Sequence, residues 1–214
     1  MKVKFLDLHK QYLTIKSEID ASISSVISES AYIKGKYVSL FETKFSELNN
    51  SKHCISVANG TDALYIALKS LGVKPGDEII IPAQTWISTA ECVLQLNAKP
   101  IFVDVDEYYS IDVSKIKQKI SPKTKGIIAV HLFGQMCDIE SINNICERHD
   151  LFLVEDCAQS HFSKYNDIFA GLHGDLGTFS FYPGKNLGAY GDAGAIITNN
   201  ADLANYTKMF ANHV

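Results

Sequence analysis

The stretch Ser180-Phe181-Tyr182-Pro183-Gly184-Lys185-Asn186-Leu187-Gly188-Ala189 sets a single lysine in a turn rich in glycine and proline. An apolar run, Leu176 to Phe181, precedes it and reads as a strand; a second, Ala193 to Thr198, follows it. A lysine between two such runs commonly faces solvent. The other reading is a lysine on the floor of a site, desolvated enough to lose its proton. Such an amine can form a Schiff base with a carbonyl. The rest of the chain decides between the two.

Upstream of this turn, strands and helices alternate. Leu151 to Glu155 reads as a strand ending in Asp156, and Ile139 to His149 as the helix before it. Thr124 to His131, Pro100 to Val105 and Glu78 to Ile81 read as further strands. A helix is expected from Pro82-Ala83-Gln84-Thr85-Trp86 to about Leu96, and a short one from Ile111 to Ile120. His53 to Ala58 is a β-rich run ending in Asn59-Gly60-Thr61-Asp62, after which Ala63 to Leu68 reads as a helix. A helix start of this kind offers free backbone N–H groups and a positive dipole end, a natural seat for phosphate; it also serves as an ordinary cap. Residues 10–30 carry apolar positions at helical spacing, and Val38 to Leu48 forms a second helical stripe.

Most of these strands are apolar throughout. The expected fold class is therefore α/β, a mostly parallel central sheet with helices on both faces. Ligands bind such sheets beyond the carboxyl ends of the strands. The Asn59–Thr61 turn, Trp86, Asp156 and Ser180 all follow strands on that edge. Their coincidence favours the functional reading of the lysine.

Composition narrows the function further. The chain has 214 residues, 46% hydrophobic and 21% charged, which suits one sizeable core. The net charge is -4 and no basic stripe appears, so nucleic acid is not expected as a partner. No apolar run approaches the roughly 20 residues of a membrane span, and Met1-Lys2-Val3-Lys4 lacks a signal-peptide core. Five cysteines without a C-x-x-C pair suggest neither a disulfide framework nor a zinc site. Reduced thiols in the cytoplasm are the simplest reading. The acidic run Asp104-Val105-Asp106-Glu107 reads as a solvated loop, and no metal is expected. No G-x-G-x-x-G follows the early strands, which argues against a dinucleotide-binding dehydrogenase.

Four stretches together resemble a known family. They are Ala58-Asn59-Gly60-Thr61-Asp62-Ala63-Leu64, Pro82-Ala83-Gln84-Thr85-Trp86, Val154-Glu155-Asp156-Cys157-Ala158-Gln159-Ser160-His161, and Gly177 to Gly188. In order and spacing they look like the DegT/DnrJ/EryC1/StrS nucleotide-sugar aminotransferases, pyridoxal-phosphate enzymes of fold type I. The resemblance extends from Phe5-Leu6-Asp7-Leu8 to the end of the chain.

The resemblance implies roles. Lys185 would be the Schiff-base lysine and the acid/base. Asp156 would pair with the pyridinium nitrogen of pyridoxal 5′-phosphate, and Gln159 would bond the ring hydroxyl oxygen. Trp86 would stack on the ring. Gly60 and Thr61 N–H groups, with the Ser180 hydroxyl, would hold the phosphate. His161 and Tyr182 would reach substrate.

The implied reaction moves an amine from an amino acid, glutamate by expectation, to a keto-sugar on a nucleoside diphosphate. The lysine flank looks most like members aminating dTDP-3-keto-6-deoxyhexoses, with an O-antigen or other surface glycan as destination. A homodimer is implied. Family chains continue into a smaller C-terminal domain. Residues 1–214 would then be the large domain, with a helical segment over about residues 1–50 and the small domain missing. Weak or no turnover is expected of such a truncated chain alone. Two rival readings stay open: a fold type I enzyme acting on amino acids, and a cofactor-binding or dimerisation module without turnover.

Overall fold

The computed structural model describes residues 3–212. Within them, three helices come first: α1 (Leu8–Thr14), α2 (Lys16–Ser28) and α3 (Lys36–Asn49). Strands and helices then alternate as β1 (His53–Val57), α4 (Gly60–Ser70), β2 (Glu78–Pro82), α5 (Ser88–Gln95), β3 (Lys99–Val103), α6 (Val113–Ile116), β4 (Thr124–Val130), α7 (Ile139–His149) and β5 (Phe152–Asp156). A small hairpin, β6 (Lys164–Tyr165) and β7 (Ile168–Phe169), precedes β8 (Leu176–Ser180), β9 (Gly194–Thr198) and α8 (Ala201–Asn212). No helix among the described residues is long and apolar enough to cross a membrane.

Seven strands form one sheet in the order β1-β9-β8-β5-β4-β2-β3. Neighbours from β8 to β3 pair in parallel, while β9 runs antiparallel to both β8 and β1. The reversal follows from connectivity. β9 is β8's neighbour and is reached by a direct return, whereas parallel neighbours need a crossover. Ser180 pairs with Gly194, so the lysine turn spans adjacent strand ends.

Both sheet faces are covered, as the apolar strands require. On one face Leu64, Ala67 and Leu68 of α4 and Cys92 and Val93 of α5 pack over Ile79, Ile81, Val154 and Ile196. On the other, Ile139, Ile142 and Ile145 of α7 pack over Ile80, Ile127 and Leu153. Ile79, Ile80 and Ile81 are all fully buried; at about 1.5–3 kcal/mol each they anchor β2, one strand in from the β3 edge of the sheet.

Several boundaries differ from the sequence reading. Residues 10–30 form two helices. Ile15 breaks them with a non-helical φ of -125° and ψ of 18°, and the Thr14 hydroxyl bonds back to the Gln11 carbonyl at 2.6 Å. Neither α1 nor α2 buries a residue, although their apolar spacing suggested a core face. The helix expected from Pro82 starts at Ser88, because Pro82 is the last residue of β2, paired in register with Val103. The helix expected over Ile111 to Ile120 shortens to α6 and a 3-10 turn at Lys117–Lys119, and Ile111 instead bridges Val105. The β6–β7 hairpin was not anticipated. Its turn residues Asn166 and Asp167 both have left-handed backbone, with φ 47° and 63°. An Asn-Asp pair is a signal for that turn.

Candidate active site

Beyond Ser180 the chain makes its excursion through residues 181–193. The Lys185 N–H donates to the Tyr182 carbonyl and the Ala189 N–H to the Phe181 carbonyl, each at 2.8 Å. Lys185 is half-buried, and burial lowers its amine below the usual 10.5 while the charge of Asp156 opposes the shift. Lys185 is thus partly withdrawn from solvent.

Asp156 closes β5 and is buried. Burial raises its carboxyl above the usual 3.8, against the Ala158 N–H, the Lys185 charge and the Thr89 hydroxyl. Oδ1 accepts from Ala158 N–H at 3.1 Å and Oδ2 from the Thr89 hydroxyl at 3.3 Å. The Thr89 oxygen also lies 3.0 Å from the Thr85 hydroxyl oxygen. Thr89 has one proton and gives it to Asp156, so Thr85 is the donor in that pair. Desolvation thus moves acid and amine toward their neutral forms, and each one's charge restrains the shift of the other.

The start of α4 stands beside the end of β8. Asn59 caps it: its side chain accepts from Asp62 N–H at 2.8 Å and its carbonyl from Ala63 N–H at 3.0 Å. Within the described residues, the Gly60 and Thr61 N–H groups donate to no protein acceptor. They lie at the positive end of the helix dipole. Gly60 is required by contact, since a Cβ there would lie 2.6 Å from Ser180 Cβ. The Thr61 hydroxyl lies 2.7 Å from the Ser88 hydroxyl. Two helix starts and a strand end therefore converge on one polar seat.

The remaining sequence-derived residues fall on the same edge in different environments. Gln159 Oε1 accepts the Phe133 N–H at 2.8 Å. Phe133 holds left-handed backbone at φ 57°, and that turn aims its N–H at Gln159. Trp86 lies after β2, ahead of α5, and is 73% exposed. Tyr182 is also exposed, and its backbone rather than its ring shapes the lysine turn. His161 is partly buried. Its ring packs against Phe179 and Phe181, and its Nε2 meets the Ser180 carbonyl at 3.0 Å.

Sequence reading missed Ser88, Thr89 and Phe133. The Thr85/Thr89 spacing, one helical turn, was a usable signal for the first turn of α5. It also missed a buried anchor next to Asp156. Glu155 accepts from His131 Nε2 and Gly171 N–H at 2.9 Å, and from His173 and Gly174 N–H at 2.7 Å. His131 Nδ1 accepts the Cys137 N–H at 3.2 Å, so this imidazole carries its proton on Nε2. His131, Glu155 and Cys157 bring nitrogen, oxygen and sulfur within 4.8 Å of one another. Four N–H donors occupy the carboxylate and burial pushes the thiol up, so the group anchors the fold and offers no free ligands. The acidic run Asp104–Glu107 builds a turn, with Asp106 accepting from Tyr108 and Ser110 N–H.

A lysine returning between β8 and β9, a buried aspartate ending β5 and a helix start with unused N–H groups at α4 lie along one edge of a fold type I α/β architecture. The chain belongs to the DegT/DnrJ/EryC1/StrS aminotransferase family, which it matches over residues 13–214. This family depends on pyridoxal phosphate. The chain is 44% identical to a pleiotropic regulatory protein of Geobacillus stearothermophilus, over all of this chain and 58% of that one. It is 42% identical to a UDP-2-acetamido-2-deoxy-3-oxo-D-glucuronate aminotransferase of Pseudomonas aeruginosa, over 99% of this chain and 59% of that one. It is 43% identical to a dTDP-3-amino-3,6-dideoxy-alpha-D-galactopyranose transaminase of Aneurinibacillus thermoaerophilus, over 99% and 58%. The crystal structure of DesV from S. venezuelae, in complex with a ketimine intermediate, superposes with a TM-score of 0.95 at 37% identity, covering 99% of this chain and 57% of that one. The chain thus spans less than two thirds of the length of these relatives.

Proposed function

We propose that this sheet edge holds pyridoxal 5′-phosphate and that the protein of which these residues are part transaminates a nucleotide-linked keto-sugar. The observation that carries the reading is the desolvated Lys185 amine under the charge of buried Asp156, beside a helix start with two unused N–H groups. These donors fit the group. Asp156 is a buried carboxyl whose Oδ2 has one long hydroxyl partner, so a protonated ring nitrogen would complement it.

When bound, the cofactor supplies an electron sink for negative charge developing on the substrate carbon. The chain's own groups do the rest. Asp156, ionised, holds a proton on the ring nitrogen. Gln159 has its Oε1 committed to Phe133, so its Nε2 is the end that donates to the ring oxygen. Trp86 would cover a ring face. Gly60 and Thr61 N–H groups and the Ser180 hydroxyl bind phosphate. Lys185, as a neutral amine, would hold the cofactor through its carbonyl carbon, the carbonyl oxygen leaving as water, and as a free amine it would take up and return a proton at the substrate carbon.

The amine donor in this reading is glutamate. The acceptor is a 3-keto sugar, supported by the 3-oxo and 3-amino substituents in the names of the Pseudomonas and Aneurinibacillus relatives. Those two relatives differ in nucleotide; a dTDP-3-keto-6-deoxyhexose is our choice, on the lysine flank Tyr182 to Ala189. A homodimer in the cytoplasm, feeding a surface glycan, completes the reading. We take residues 1–214 as the large domain of a longer architecture; the exposed apolar positions of α1 and α2, including Leu13, Ile23 and Ile27, are surface for a partner to cover.

The test is an absorbance spectrum with added pyridoxal phosphate, followed by borohydride trapping and peptide mapping. A visible band and a mass increase on Lys185, both absent in Lys185→Ala, are expected. Bleaching by glutamate supports amine transfer. A trapped band indifferent to glutamate and all other amino acids would favour a cofactor-binding module, and no trapping would sink the assignment.

A further inference from the structure

His161 lies beside the site with its ring set into the apolar packing behind the end of β8. It is partly buried and flanked by Phe179 and Phe181, with ring centroids 5.6 Å and 5.5 Å away. Its Nε2 lies 3.0 Å from the Ser180 carbonyl oxygen, which is only an acceptor. Nε2 therefore carries a proton and donates. Nδ1 is buried and has no partner among the described residues. A proton there would be an unsatisfied buried donor, whereas a bare lone pair costs less. The imidazole is therefore neutral, with its hydrogen on Nε2. Burial and the nearby Lys185 charge both oppose a second proton.

Ser180 is the point where this bond matters. Its Cβ faces Gly60, its hydroxyl accepts from Tyr182 N–H at 3.3 Å, and the lysine turn begins one residue later. The carbonyl held by His161 is thus the fixed point between the phosphate seat and the turn that carries Lys185.

We propose that His161 is a positioning residue, a neutral Nε2–H imidazole that fixes the Ser180 carbonyl and so aligns the Ser180 hydroxyl with the Gly60–Thr61 N–H groups. It acts through Ser180, not on substrate. The inference rests on the cofactor reading of the same site.

The experiment compares wild type with His161→Phe, which keeps a ring among the phenylalanines but loses the donor, and His161→Gln, which keeps an N–H. The probe is 4′-deoxypyridoxine 5′-phosphate, which has no aldehyde and cannot react with Lys185. His161→Phe should weaken its Kd by about 10-fold, and His161→Gln should recover to within roughly threefold of wild type. Melting temperatures are read alongside; a structural role alone would move stability and leave the Kd order unchanged. Equal Kd in wild type and His161→Phe overturns the proposal, as does His161→Gln no tighter than His161→Phe. If wild type itself binds no probe while remaining folded, the cofactor reading falls and takes this inference with it. A ¹⁵N spectrum of the wild-type imidazole needs no variant: the neutral Nε2–H form is expected at neutral pH, and an Nδ1–H form or an imidazolium overturns the proposal.

Discussion

The Thr89 hydroxyl donates to Asp156 Oδ2 at 3.3 Å, and Thr85 donates to Thr89 in turn. This short relay starts in the loop after β2 and ends on β5, two strands away in the sheet. It is one of two hydrogen bonds that favour the charged form of the aspartate. Thr89→Val keeps the shape and deletes the proton. The Asp156 carboxyl should then titrate still higher. Affinity for pyridoxal phosphate should fall by roughly fivefold, the equivalent of about 1 kcal/mol for one lost hydrogen bond. Equilibrium titration of the variant checks this, and unchanged affinity would show that the relay is idle.

Gly60→Ala tests the contact between the helix start and β8. The new methyl would sit 2.6 Å from Ser180 Cβ, with neither backbone free to move far. A destabilisation of about 1–3 kcal/mol is expected from overpacking. Phosphate affinity should drop with it, because the same shift pulls the N–H groups from the Ser180 hydroxyl. Urea melts and phosphate titration read the two effects separately.

Glu155→Gln removes a buried carboxylate that accepts four N–H donors, one of them from His131. The amide cannot accept them all and adds two donors of its own, so a loss of about 3 kcal/mol or more is expected. The pH dependence gives a second reading. The His131 bond and the Gly171 and Gly174 N–H groups hold the Glu155 carboxyl below the usual 4.5, outweighing its burial. Its folded pKa is thus depressed. The stabilisation is present above 4.5 and is lost as pH falls through the folded value. Melts across the acid range should show a slope in wild type that is reduced in Glu155→Gln.

All five cysteines are free and buried. Burial pushes the Cys54, Cys92 and Cys146 thiols up to about 12, leaving almost no thiolate at neutral pH. A thiol reagent such as DTNB should label the native protein slowly and all five sites after denaturation. Rapid labelling of the folded chain would contradict this packing.

The fold was largely legible because its punctuation is local. Most apolar runs end at or near Gly, Pro, Asn or Asp, and those breaks locate Asp156 and Ser180 at strand ends, and Lys185 in the turn after Ser180, without any knowledge of pairing. What escaped was set by long-range contacts. Pro82 read as a helix start, yet its pairing with Val103 keeps it in the sheet. Thr89 and Ser88 look like plain helix residues until β5 and α4 are brought beside them. His161 sat close to the site in sequence, and only packing against Phe179 and Phe181 shows that its ring faces inward. Phe133 gave no sign, since a left-handed aromatic is dictated by the turn it must complete and not by its own preference.

The antiparallel placement of β9 has a bearing on how such a lysine can be kept in place while its surroundings change. Ser180 and Gly194 face each other across one strand spacing, each in a fully buried strand. The segment between them leaves and re-enters the sheet through a single gate. Its two hinges cannot drift apart, so residues such as Asn186 and Leu187 can be exchanged without moving the frame on which the amine is mounted. A lysine carried on a crossover would inherit every adjustment of the intervening helix. Here Lys185 has a local mount, and its chemical surroundings can be altered independently of the rest of the architecture.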